Sequence, residues 1–283
     1  MKGILISLLF VLSLEAKSLF TNNEQKQRSK YIGALKDLVI STQKTRGLTN
    51  SYLNGNTVAQ LLVYSNRQEM KKAIGEMETL PFAADPVINK RATKISQDLI
   101  ILNRKAFKQD SAVVFESYTD LIAQTMMLAQ SVGKRGSDKL NPIGRELTVI
   151  MMETMLPLSE YIGQLRGLGS GIAAKGKMNA NQKEKLIGIL SLIDSLSQKF
   201  QIEMVKISGK YNTKFNSSVD SDVAKIMSYI KKYVAFSKTN FFKNKFSVDA
   251  DSYFDEGTQI ITNIIIIYDM NNKIIDSDSE GWF

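Results

Sequence analysis

The stretch "VFESYTDLIAQTMMLAQSV", residues 114–132, decides the fold class. Its positions Val114, Tyr118, Leu121, Thr125, Leu128 and Val132 step by four and three in alternation, which keeps one face of an α-helix turned toward a partner. Runs of the alternating, strand-like kind are nearly absent elsewhere, and the helical period recurs along the chain. Eight helical segments are expected, at roughly 24–54, 57–80, 86–108, 111–133, 142–175, 181–208, 217–240 and 251–270. The breaks between them carry turn chemistry: "NGN" at 54–56, "LPFAADP" at 80–86 and "GKRGSDKLNP" at 133–142. Pro142 suits a first helical turn after Asn141, and Asn181 followed by Glu184 suits the cap of the sixth helix. Pro157 should kink the fifth helix about two turns before Arg166. The polar break at 133–141 divides the helices four and four. The expectation is an all-α protein of two four-helix bundles packed together, residues 19–136 and 137–283.

Composition removes most enzymes. The chain has no histidine and no cysteine, so imidazole metal sites, His-assisted nucleophiles, thiolate chemistry and disulfides are all excluded. Carboxylate or lysine chemistry remains, but no paired carboxylates sit on a recognisable scaffold, and no catalytic residue, metal or cofactor is assigned. Binding without chemistry is the expectation.

The opening "MKGILISLLFVLSLEAKS" has one lysine, an apolar run from Ile4 to Leu14, and small residues at Ala16 and Ser18. It reads as a signal peptide over residues 1–18, too short for a membrane span, with an uncleaved anchor as the alternative. The later apolar run "IITNIIIIY", 260–268, is broken by Thr262 and Asn263 and reads as a buried helix. A soluble periplasmic protein is expected. Its 37 basic and 28 acidic residues give a formal charge of +9, which attracts anions; export argues against nucleic acid as the partner.

Only eight of the basic residues are arginine, and none follows Arg166. Two of them open the triplets Arg46-Gly47-Leu48 and Arg166-Gly167-Leu168. Helical counting puts Arg46 in line with Val39, Thr42, Thr49 and Leu53, and Arg166 in line with Met155, Ser159, Ile162 and Gly169. Both guanidinium groups therefore leave the packing face, where an unpaired charge is costly. Neither stripe contains a carboxylate; the neighbours are small or hydroxylic, among them Thr45, Thr49, Gly167 and Ser170. Two readings stay open. Each arginine is paired by a glutamate or carbonyl from another helix, or the two forks hold a small planar anion such as nitrate, nitrite or a carboxylate.

Two motif-like stretches carry no function. "GIAAKGKM", 171–178, lacks the Ser or Thr of a phosphate loop and follows no strand, and "DSDSEG", 276–281, stops short of a calcium loop's last ligand.

The stretches "TQKTRGLTNSYLNGN" (42–56), "AQLLVYSNRQEMKKAIGEM" (59–77), "FESYTDLIAQTMML" (115–128), "LSEYIGQLRGLGSGIAAKGKMNANQKEKL" (158–186) and "DADSYFDEGTQIITNI" (249–264) resemble, in order and spacing, the nitrate- and nitrite-sensing (NIT) domain family. The resemblance implies two four-helix bundles with nitrate or nitrite held by arginines between them, here Arg46 and Arg166; the residue pattern adds Thr45, Thr49, Gly167 and Ser170 as the candidates around them. The family's set can include further arginines. Arg67 in the second helix, Lys225 and Lys231 (or Lys232) are the candidates for an additional cation in this sequence. Family members are usually followed by a membrane helix, a kinase, a methyl-accepting or an RNA-binding module. Here the sequence reaches Trp282-Phe283, and a free-standing sensor that relays to a membrane-bound sensor kinase or receptor is expected, with "DMNNKIIDSDSEGWF" (269–283) as the contact segment and a homodimer left open. A helical scaffold without a small ligand is the alternative.

Overall fold

The computed structural model describes residues 2–135, 137, 140–243 and 247–280, with side chains, inside those ranges, from 23 to 277. The side chains of the expected signal peptide and the final Trp282-Phe283 lie outside the described residues. Among the described residues there is no strand. The α-helices are α1 (Lys2–Leu53), α2 (Ala59–Thr79), α3 (Pro86–Lys105), α4 (Ser111–Lys134), α5 (Pro142–Ile150), α6 (Leu156–Lys175), α7 (Ala180–Lys210), α8 (Val219–Phe241) and α9 (Ala250–Glu280). No helix among the described residues is long and apolar enough to cross a membrane.

Local chemistry sets the ends. The Asp85 carboxylate accepts from the backbone N–H of Val87 and Ile88, with Pro86 in the first turn of α3; Asp110 does the same for α4. The Asn141 side chain accepts from Gly144 N–H at 2.9 Å and starts α5. The cap of α7 is Asn179 rather than Asn181: its side chain accepts from Gln182 N–H, and Gln182 reaches back to the Asn179 N–H. Gly176, at φ 68°, closes α6 in the left-handed conformation that a side chain would resist.

Pro157 acts by widening the coil. Residues Met151–Met155 form a π-turn between α5 and α6, immediately before the proline that cannot donate to the preceding turn. At the far end, α9 continues to Glu280 instead of stopping near 270. Lys36 on α1 is ion-paired with Asp269 at 2.8 Å, Ser29 donates to Asn272 at 3.0 Å, and Asn271 and Ile274 are buried. The first part of the expected contact tail is thus a packed helix.

α1 is the axis of the molecule, packing on α2, α4, α6 and α9, while α6 packs in turn on α7 and α9. One contiguous apolar core runs through all of them, including Tyr31, Leu35 and Leu38 of α1, Tyr118 and Ile122 of α4, Leu158 of α6, Phe200 of α7 and Ile264 of α9. Burial of the "IITNIIIIY" face, through Ile260, Ile261, Ile264 and Ile267, follows from that packing.

Candidate functional site

The two Arg-Gly-Leu triplets meet where α1 crosses α6. A Cβ on Gly167 would stand 2.9 Å from the Gly47 Cα, so the helices touch backbone to backbone. The carbonyl of Gly167 accepts from the Asn50 side chain at 2.8 Å and from the Ser170 hydroxyl at 3.2 Å, which ties Ser170 to its own helix. This close crossing carries an arginine on either helix, and the two have different surroundings.

Arg46 is fully buried and ion-paired. Its Nη1 donates to Glu160 Oε1 at 2.5 Å and to Thr119 Oγ1 at 3.0 Å, and its Nη2 donates to Glu160 Oε2 at 3.2 Å. The guanidinium also lies over the Phe115 ring, 4.9 Å from its centre. Glu160, itself buried, accepts a further bond from Gln164 at 2.8 Å. A glutamate from another helix therefore answers the first of the two readings for Arg46.

Arg166 is 2% exposed and lacks such a partner. Among the described residues no carboxylate lies within salt-bridge distance of it; Nη1 donates to Thr258 Oγ1 at 2.9 Å and Nε donates to nothing. Its guanidinium sits 4.4 Å above the Phe254 ring. Burial lowers its pKa from the ordinary arginine range to about 10, and nearby Arg46 pulls the same way, against the opposing fields of Tyr233, Glu160 and Asp255.

Arg166 lines an open cleft of about 370 Å³ between α1, α2, α6 and α9. Ser41 and Lys44 of α1, Asn66 of α2, and Thr258 and Thr262 of α9 line it too. Thr45 stands just behind: its hydroxyl donates to the Ser41 carbonyl at 2.9 Å and accepts from the Asn66 amide at 2.6 Å. Arg46 is not among the residues that line this cleft.

The remaining candidates fall elsewhere. Arg67 packs over Phe107 at 4.6 Å, and with Thr49 it lies beside the Tyr118 phenol, whose pKa burial raises while these two draw it back. Lys225 and Lys231 are exposed on α8, and neither lines the cleft. The lysines that do line it are Lys44, 3.9 Å from Glu69, and Lys72, 3.7 Å from Glu76, and Asp37 lines it as well.

Glu160, Thr258 and Lys44 are not among the residues that the sequence pattern singles out. Glu160 has a readable signal in principle: Glu160, Gly163, Gln164, Gly167 and Gly171 follow the helical period and form the side of α6 turned to α1. Glycines carry no hydropathy contrast, so that face does not announce itself.

A family model described as nitrate and nitrite sensing, NIT, matches residues 37–276. Among curated proteins none matches. The fold is similar to that of the NasR transcription antiterminator, with a TM-score of 0.65 at 13% identity over 98% of this chain and 75% of that one. Likeness at that identity speaks for the fold alone.

Proposed function

The chain belongs to the nitrate- and nitrite-sensing family, and from this premise we propose that it is an exported sensor. Nitrate or nitrite is engaged through the arginine pair Arg46 and Arg166, and occupancy is relayed to a membrane-bound signalling partner. The observation that carries this reading is Arg166: a buried guanidinium facing a cleft, with a free Nε and no carboxylate at salt-bridge distance among the described residues. An uncompensated buried charge costs several kcal/mol, and a monovalent anion in the cleft offsets that cost. A planar trigonal anion also fits the in-plane N–H groups of one side of the fork.

In this reading Arg166 is the direct anchor and Arg46 the second cation of the field. Lys44 supplies a further cation on the cleft wall, in place of the lysines of α8, while the protons of Ser41, Thr45 and Asn66 are already engaged within the protein. Without an anion, the buried charge of Arg166 is left without a carboxylate partner among the cleft's four helices. Anion binding balances it and shifts the molecule toward the closed arrangement. Export rests on the apolar run Ile4–Leu14, and the membrane partner follows from export.

Calorimetric titration with nitrate, nitrite and chloride, on the wild type beside Arg166→Ala, tests this. Saturable nitrate or nitrite heat that disappears in the variant is the expected result. A folded wild type giving no heat with either ion, or a variant binding as well as the wild type, would overturn it.

A further inference from the structure

We propose that Glu160 is the site's internal counter-anion: by holding the fork of Arg46 it restricts the site to one monovalent anion, and so sets both affinity and charge selectivity. The inference rests on the anion-binding reading above and adds a specificity-determining residue to it.

Glu160 already has the contacts of a bound oxyanion. Its planar carboxylate meets Nη1 and Nη2 of Arg46 at 2.5 and 3.2 Å and the Gln164 amide at 2.8 Å, from a position sealed between α1, α4 and α6. Yet the surroundings offer more hydrogen-bonding groups than this carboxylate uses. Arg46 Nε has no partner, and neither has either amide atom of the fully buried Gln43. Gln43 faces the same stretch of α6, since a Cβ at Gly163 would come within 3.1 Å of its Oε1 and 3.4 Å of Arg46 Nη2.

The charge count gives the consequence. Arg46 and Glu160 cancel, and Arg166 is left as the uncompensated cation, close enough to both to feel their fields. The other charged residues of the cleft, Lys44 and Lys72 against Asp37, Glu69 and Glu76, are exposed or half-exposed and screened by water, so the buried set carries one net positive charge, which nitrate or nitrite balances. A divalent anion would overshoot it and leave a negative charge buried, a repulsive term against the wrong ligand. With the negative charge of Glu160 removed, the site would carry two.

Coulomb energy scales with the product of charges, so loss of one site charge acts twice as strongly on a divalent anion as on a monovalent one. Glu160→Gln should bind nitrate about tenfold more tightly, and sulfate about a hundredfold more tightly, than the wild type does. This doubling on a logarithmic scale is a readout that a merely structural ion pair would not produce. The double variant Arg46→Gln with Glu160→Gln restores the wild-type charge and should return the ratio of sulfate to nitrate affinity to within a few-fold of wild type, whatever Arg46 itself adds to affinity.

The experiment is calorimetric titration of wild type, Glu160→Gln and the double variant with nitrate and with sulfate. Unchanged or weaker anion binding by folded Glu160→Gln overturns the proposal, as does equal improvement for the two anions. If Glu160→Gln folds only when nitrate or sulfate is present, the anion has replaced the carboxylate and the proposal holds. If neither ion rescues its folding, the proposal is overturned. A wild type that binds neither nitrate nor nitrite defeats the sensor reading. The Glu160 assignment is then still decided by whether Glu160→Gln gains binding.

Discussion

Gly47 and Gly167 stand against each other where α1 crosses α6, so close that a Cβ added at Gly167 would lie only 2.9 Å from the Gly47 Cα. The obstacle on each side is backbone, which cannot swing away as a side chain does. Alanine at either position gains about 1 kcal/mol of helix propensity but meets an overpacking cost of about 1–3 kcal/mol. The second term wins here, because a Cβ at Gly47 also meets the Phe254 ring at 2.7 Å. Gly47→Ala and Gly167→Ala should each lower the unfolding free energy in urea. Equal or higher stability in either would show that the crossing can relax.

The two arginines should respond oppositely to the same substitution. Arg46→Met strands the buried Glu160 carboxylate, and breaking a buried pair costs about 3–5 kcal/mol. Arg166→Met removes a buried cation that has no carboxylate partner within salt-bridge distance, so in anion-free buffer its stability should match or exceed that of wild type. The same variant should lose the rise in Tm that nitrate gives the wild type. Thermal melts with and without saturating nitrate check both statements. A large loss of stability in anion-free Arg166→Met would mean that Thr258 and Phe254 already compensate its charge.

Much of this architecture is legible in the residue pattern, and the places where it is not share a physical cause. Period alone locates the helices, because each buries an apolar stripe. It stops short on α9, where Asp269, Asn271 and Asn272 interrupt the stripe although they are held by Lys36, by core burial and by Ser29. A polar residue satisfied across a helix interface looks the same in sequence as one in solvent. The inward direction of Arg46 and Arg166 can be read from the helical repeat. That of Glu160 follows the same repeat but lies on a face of glycines with no hydropathy contrast to mark it, and Thr258 and Lys44 become neighbours of Arg166 only when α9 and α1 pack about it. Lys225 and Lys231 stand out in the sequence for their charge alone, and the fold leaves them on the outer side of α8.

The alkaline limb of stability should be governed by buried phenols. Burial pushes Tyr31 up to about 12 from an ordinary value of 10.0, and it raises Tyr233, Tyr253 and Tyr268 as well. Above about pH 10 the unfolded chain releases these protons while the native protein keeps them, so the native state binds more protons and stability falls as pH rises. Each such tyrosine contributes about 1.4 kcal/mol of loss per pH unit in that window. Arg166 works the other way: its folded pKa is depressed to about 10, so its burial penalty is relieved over the same range. One arginine against four phenols leaves a net decline. Tyr268→Phe isolates one contribution, because the Tyr268 hydroxyl has no hydrogen-bond partner and its removal should cost little at neutral pH. Urea unfolding at about pH 9, 10 and 11 should show a decline in the variant that is smaller by about 1.4 kcal/mol in total over this range, most of it between about pH 10 and 11. Parallel curves for wild type and variant would mean that the native protein ionises Tyr268 as readily as the unfolded chain does.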